Sequence, residues 1–243
     1  MRRFIRALWR ATLGLLVATV VLFFCLDYYF VHDSTVKTRV ENALSARVRL
    51  YHIHPLTSAQ IPTMFYDAMV ATEDRRFAWD PGVDPIGILR SIVVDVEKDG
   101  YVEGGSTITQ QLVDNTILNQ QKTLLRKVRQ AFYAVGLFDT MNKQEVFQLY
   151  TNAIYFGQGA YGLYNASMIY FGIPPAQLNV GELALLAGLP NSPQTYDPYR
   201  HLSLAIARQK VVLDNMVDAG YLTQVQASQI EKQPLRLQGQ KSP

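Results

Sequence analysis

The sequence predicts an all-α, mainly helical globule behind an apolar N-terminal stretch, and three observations carry that expectation. Apolar residues recur at three- and four-residue intervals through much of the chain beyond residue 56, the spacing of a helix face. Asn or Thr followed three residues later by Glu or Gln opens two of these stretches, as a helix N-terminus requires. The alternation of a half-buried strand is nearly absent. With 243 residues, 49% of them apolar, the chain has material for a substantial core. A net charge of +3 is too small to imply nucleic-acid binding, and no long basic run supports it. Cys25 is the only cysteine, which excludes an internal disulfide.

The elements follow in chain order. Residues 1–10 are a basic tail with Arg2, Arg3, Arg6 and Arg10, and residues 11–31 are almost without charge. As a helix the second stretch is about 30 Å long, the thickness of a bilayer's hydrocarbon core. The arginines predict a cytoplasmic N-terminus, with the rest of the chain across the membrane, and Trp9, Tyr28 and Tyr29 fall near the two interfaces. A cleaved signal peptide would need small residues after its apolar core, and "CLDYYFVHDS" supplies bulky ones. Residues 32–56 are polar and mixed: "TVKTRVENALSARVRL" reads as a helix or strand of uncertain type, and the segment as a whole as a linker or stalk. "STVK" at 34–37 has Ser-x-x-Lys spacing, but the Lys-Thr-Gly partner of penicillin-reactive enzymes is missing and the match is chance.

Residues 57–243 form the globular domain. "IPTMFYDAMVATED" aligns Ile61, Phe65, Met69 and Thr72 on one face of a helix ending near Glu73. "NQQKTLLRKVRQAFYAVGLF" places Leu124, Leu125, Val128, Phe132 and Val135 at helical spacing, with Lys122, Arg126 and Gln130 on the opposite stripe. Asn179 and Glu182 open a helix that stops at Gly188 and Pro190, and Thr223 and Gln226 open another. "IYFG" recurs at 154–157 and 169–172, too short to argue a repeat.

Several segments carry polar chemistry. "EDRRF" sets Glu73 and Asp74 beside Arg75 and Arg76: a solvated ion pair on the plain reading, a general base on the sharper one. In "GGSTITQQLVDN" the glycines permit close backbone approach, and Ser106 or Thr107 can cap the following helix. Its N-terminus suits an anion. Gln110 and Gln111 cannot ionise but offer donors and acceptors to sugar hydroxyls, and a plain capped helix leaves the adjacent glutamines unexplained. Lys122, Arg126 and Arg129 form a cationic stripe that is either solvated or faces phosphate or lipid headgroups. The Gly- and Tyr-rich run at 150–172 suits core packing or the wall of a sugar cleft, and Glu182 reads as a cap. No metal-ligand cluster is visible, since His32, His52, His54 and His201 lack helical partners at ligand spacing.

Taken together, "ATEDRRF…GVDPIGILRS", "GGSTITQQLVDN", "RKVRQ", "LYTNAIYFGQGAYGLYNASMIYFG" and "ALLAGLPNSPQTYDP" resemble, in order, the five motifs of the peptidoglycan glycosyltransferases, glycosyltransferase family 51, in their monofunctional membrane-anchored form. The resemblance implies a lysozyme-like helical lobe and a smaller lobe at the outer leaflet of the bacterial inner membrane. It implies polymerisation of lipid II into polyprenyl-diphosphate-linked glycan, often with Mg²⁺ or Mn²⁺, in company with other cell-wall synthesis proteins. By it, Glu73 would take the proton from the acceptor 4-hydroxyl. Ser106, Thr107, Gln110 and Gln111 would line the cleft, and Lys122, Arg126 and Lys127 would face the diphosphate. Five positions depart from the family pattern: Asp80 replaces histidine, Asp114 lysine, Gln130 glutamate, Tyr164 glutamate and Ile173 lysine. Two alternatives stand beside a polymerase with weakened turnover. Asp114 and Gln130 together motivate a non-catalytic relative that binds lipid II or scaffolds. A lytic glycan-cleaving enzyme is the other alternative because one glutamate suffices for that chemistry in some sites, though the second to fifth motifs speak against it.

Overall fold

The computed structural model describes residues 35–87, 105–118 and 123–239, with Gly14 alone before them. The basic tail and apolar stretch expected over 1–31 lie outside the described residues. Among the described residues no helix is long and apolar enough to cross a membrane. They are helical, as expected, and the one extended pairing among them is an isolated antiparallel bridge between Tyr155 and Tyr161.

In chain order the helices are α1 (Val36–Leu50), α2 (Thr63–Glu73), α3 (Ile108–Thr116), α4 (Leu124–Thr140), α5 (Lys143–Ala153), α6 (Leu163–Phe171), α7 (Val180–Gly188), α8 (Leu202–Asp218) and α9 (Gln224–Glu231). Their starts follow local chemistry. Thr107, Thr123, Asn142, Asn179 and Thr223 each accept a hydrogen bond from the backbone N–H three residues on. All but Thr123 are closed reciprocally by a Gln or Glu side chain.

Within the segment read as a linker or stalk, the helix is the local structure present. Residues 36–50 form α1, whose Val36, Val40 and Leu44 recur every fourth residue and are buried against the domain. The mixed polarity hid this because a three-residue stripe is enough to dock a helix whose other faces are wet.

Two packed groups share one core. Helix α2 lies against α7 and α8, which also lie against each other, while α3 lies against α4 and α5, with α1 laid across those two. Phe65 of α2 and Phe147 of α5 meet across the seam with ring centroids 6.4 Å apart. Phe65, Met69, Ile108, Leu112, Leu137, Tyr150 and Leu185 are buried within it, each contributing about 1.5–3 kcal/mol by removal from water. Gly82 brings the loop after α2 into register with α4. Its φ is +91°, and a Cβ there would lie 2.2 Å from the Ala134 carbonyl oxygen, so the close approach needs glycine.

Candidate active site

Glu73 ends α2 at the seam, where the helix runs into the Asp74 turn. Its side chain is 12% exposed. Gln111, on the first turn of α3, donates through Nε2 to Glu73 Oε2 at 2.7 Å. The Gln111 oxygen in turn accepts from the buried Tyr150 hydroxyl on α5 at 3.1 Å. On the other side Arg208 of α8 brings Nη2 within 3.7 Å of Glu73 Oε1. Gly188 makes room for that arginine, since a Cβ there would lie 2.8 Å from Arg208 Cγ. Burial raises the Glu73 pKa above the ordinary glutamate value, against the opposing pull of the Gln111 hydrogen bond and the Arg208 charge. The result is a carboxylate with a fixed orientation and an elevated proton affinity, what a general base requires.

The adjacent glutamines divide two jobs. Gln110 closes the cap of α3: its backbone N–H donates to Thr107 Oγ1 at 3.0 Å and its side-chain oxygen accepts from the Thr107 N–H at 3.0 Å. Thr107 also donates to the Gly82 carbonyl at 2.7 Å. Both residues are buried. Thr107 and Gln110 thus hold the start of the helix, and the Gln110 side chain uses only its oxygen in that cap. Gln111 is the one that faces the Glu73 carboxylate. Asp74 Oδ2 accepts from Ile108 N at 3.0 Å, tying the end of α2 to the start of α3. Burial and the neighbouring Asp80 push the Asp74 pKa up to about 7.

The cationic side of the site is rearranged. Asp114, on the last turns of α3, accepts from Arg126 Nη1 and from Gln130 Nε2, both on α4. Gln130 also donates to the Gln110 carbonyl at 3.2 Å and is fully buried, while its side-chain oxygen has no partner among the described residues. The stripe of Arg126 and Gln130 thus faces α3 instead of solvent. Lys127 donates to Ser106 Oγ at 2.6 Å, and burial lowers its pKa. Lys122 lies outside the described residues.

The remaining departures sit elsewhere. Asp80 is buried, accepts from Gly82 N at 2.7 Å and pairs with Lys143 at 3.2 Å. Tyr164 lies against His54 with ring centroids 4.1 Å apart and the planes tilted by 35°. The Ile173 carbonyl accepts from Ser167 Oγ. Glu182 caps α7 as expected and is also gripped by Arg236, with Nη2 at 2.6 Å.

Among the described residues this donor set does not fit a divalent cation. Both Asp114 oxygens face N–H donors, and one Glu73 oxygen accepts from Gln111 while the other faces Arg208. Among the described residues no group of three or more His, Cys, Asp or Glu could hold a metal.

Comparison with known proteins defines the class. Residues 41–217 match the family described as Transglycosylase, and the chain belongs to that family. It is 43% identical to penicillin-binding protein 1A of Escherichia coli strain K12 over 175 residues, 72% of this chain and 21% of that one. It is 39% identical over 199 residues to penicillin-binding protein 1A of Aquifex aeolicus, 82% of this chain and 27% of that one. The chain therefore spans about a fifth to a quarter of the length of these relatives. A crystal structure of penicillin-binding protein 1A from Haemophilus influenzae aligns over 76% of this chain and 18% of that one, at 23% identity and a TM-score of 0.47.

Proposed function

We propose that this chain polymerises peptidoglycan glycan strands from lipid II by inverting glycosyl transfer at the outer face of the bacterial cytoplasmic membrane. The observation that carries the reading is the Glu73 carboxylate, set by Gln111 and Arg208 at the helix seam. In this mechanism Glu73 accepts the proton of the acceptor sugar's 4-hydroxyl, and that oxygen attacks C1 of the donor sugar. The C1–O bond to the diphosphate breaks, and the leaving polyprenyl diphosphate keeps the electron pair. Lys127 supplies positive charge on the departing side. No step runs through a metal.

Asp114 sets the expected rate. It replaces a positive group with a negative one, but Arg126 and Gln130 absorb that charge by hydrogen bonding, so the diphosphate meets a neutralised cluster and not a free anion. Turnover is slowed for lack of the lysine, not prevented. In the test, purified full-length protein receives labelled lipid II with and without Mg²⁺ or Mn²⁺. Wild type makes polymer, and Glu73→Gln is slower by roughly 10²-fold or more. Equal product from both removes Glu73 from the mechanism.

The same cluster favours one second reading. If Arg126 is wholly absorbed by Asp114, the protein binds lipid II without turning it over. Saturable lipid II binding with no polymer from wild type, under conditions where a related polymerase is active, would select it.

A further inference from the structure

A second groove lies away from Glu73. It has a volume of about 490 Å³ and runs between α1, the end of α3 and the first turns of α4. Three guanidinium groups line it, from Arg39, Arg126 and Arg129, and among the described residues no acidic one does. Arg39 donates to the Tyr133 hydroxyl at 3.3 Å and lies over that ring at 5.0 Å, which fixes it along one wall. Arg129 is exposed, with no hydrogen-bond or ion-pair partner among the described residues. Apolar side chains complete the lining: Ile117 and Leu118 are half-buried, and Leu125 is 57% exposed.

Guanidinium groups beside exposed hydrocarbon in one groove match an amphiphile with an anionic head. The groove also has a place in space. At most about 18 Å of chain separates Val31, the end of the apolar stretch, from the start of α1, and Arg39 sits in the first turn of that helix. If residues 11–31 cross the bilayer, the groove lies within reach of the headgroup layer, several ångströms deep beyond the hydrocarbon.

We propose that this groove binds an anionic phospholipid of the surrounding bilayer. The lipid phosphate sits between Arg39 and Arg129, and acyl carbons lie along Ile117, Leu118 and Leu125. The groove shares Arg126 with the Asp114 cluster, but the two proposed phosphate contacts, Arg39 and Arg129, take no part in the Glu73 chemistry.

The test uses the full chain in non-ionic detergent micelles doped with phosphatidylglycerol or phosphatidylcholine, with bound lipid counted by native mass spectrometry. Wild type retains phosphatidylglycerol over phosphatidylcholine. Arg39→Gln with Arg129→Gln lowers that retention by roughly tenfold or more, and so does Leu125→Glu, while Arg200→Gln and Glu73→Gln leave it unchanged. Both arginines of the double variant are exposed, so the fold is expected to survive, and its melting temperature checks this. Equal retention of the two lipids overturns the proposal. So does retention unaffected by the double variant, a matching loss in Arg200→Gln, or displacement of the lipid by inorganic phosphate at equal concentration.

Discussion

Two clusters flank α3, and they use polar side chains in opposite ways. On one side Glu73 is held by Gln111 and Arg208 with one strong hydrogen bond and one cation standing 3.7 Å off, an arrangement loose enough to let the carboxylate gain a proton. On the other side Asp114 is closed by two N–H donors, with Gln130 fully buried. The first cluster keeps a charge available, while the second cancels one. The difference shows that a departure from a family pattern has to be judged with its neighbours. Asp114 alone would repel a diphosphate, yet with Gln130 in place of a glutamate it has an amide to accept from and no second anion to oppose it.

The largest effect should come from breaking the closed cluster. Gln130→Glu would place a second carboxylate in a fully buried position against Asp114 and should destabilise the fold by about 3–5 kcal/mol in chemical denaturation. Asp114→Lys alone would set an ammonium against Arg126 and should also destabilise. The two together should recover much of the loss, with a coupling of about 0.5–3 kcal/mol. Additive losses would show that the two positions are independent.

A smaller effect should separate Arg208 from mere packing. Its charge lowers the Glu73 pKa against the upward push of burial, so Arg208→Gln should raise that pKa further. Because the base acts ionised, the acid limb of the rate profile should move to higher pH, with more activity lost at pH 6 than at pH 8. A uniform loss at every pH would assign Arg208 a structural role only.

The mildest effect should be on stability. The Asp74 pKa is raised in the fold to about 7, from an unfolded value near 3.8. A raised carboxyl pKa favours the protonated folded state, so its contribution is present below about pH 4, falls as pH climbs towards 7, and is flat above. Thermal melts from pH 4 to 8 should show that decline, and Asp74→Asn should flatten it while keeping a side-chain oxygen for Ile108 N.

What the sequence made legible was local. Helices α2, α4, α7 and α9 could be read because caps and three-to-four spacing lie within a few residues of each other. The split between the glutamines was also within reach. Thr107 and Gln110 have the spacing that identified Asn179 with Glu182 and Thr223 with Gln226, so the cap could have claimed Gln110 and left Gln111 for the carboxylate. Arg208 was not readable: it lies 135 positions from Glu73, and an arginine on an amphipathic helix is ordinary. The packing of α1 was hidden by its polar faces, and the partners of Asp114 by the turn between α3 and α4.

The most direct test is the initial rate of polymer formation from lipid II, measured side by side for wild type and for Asp114→Lys with Gln130→Glu. The account predicts polymer from wild type and a faster rate from the double variant, with Glu73→Gln suppressing either. An inert wild type whose double variant polymerises would contradict it, and would make the chain an enzyme that has lost its activity.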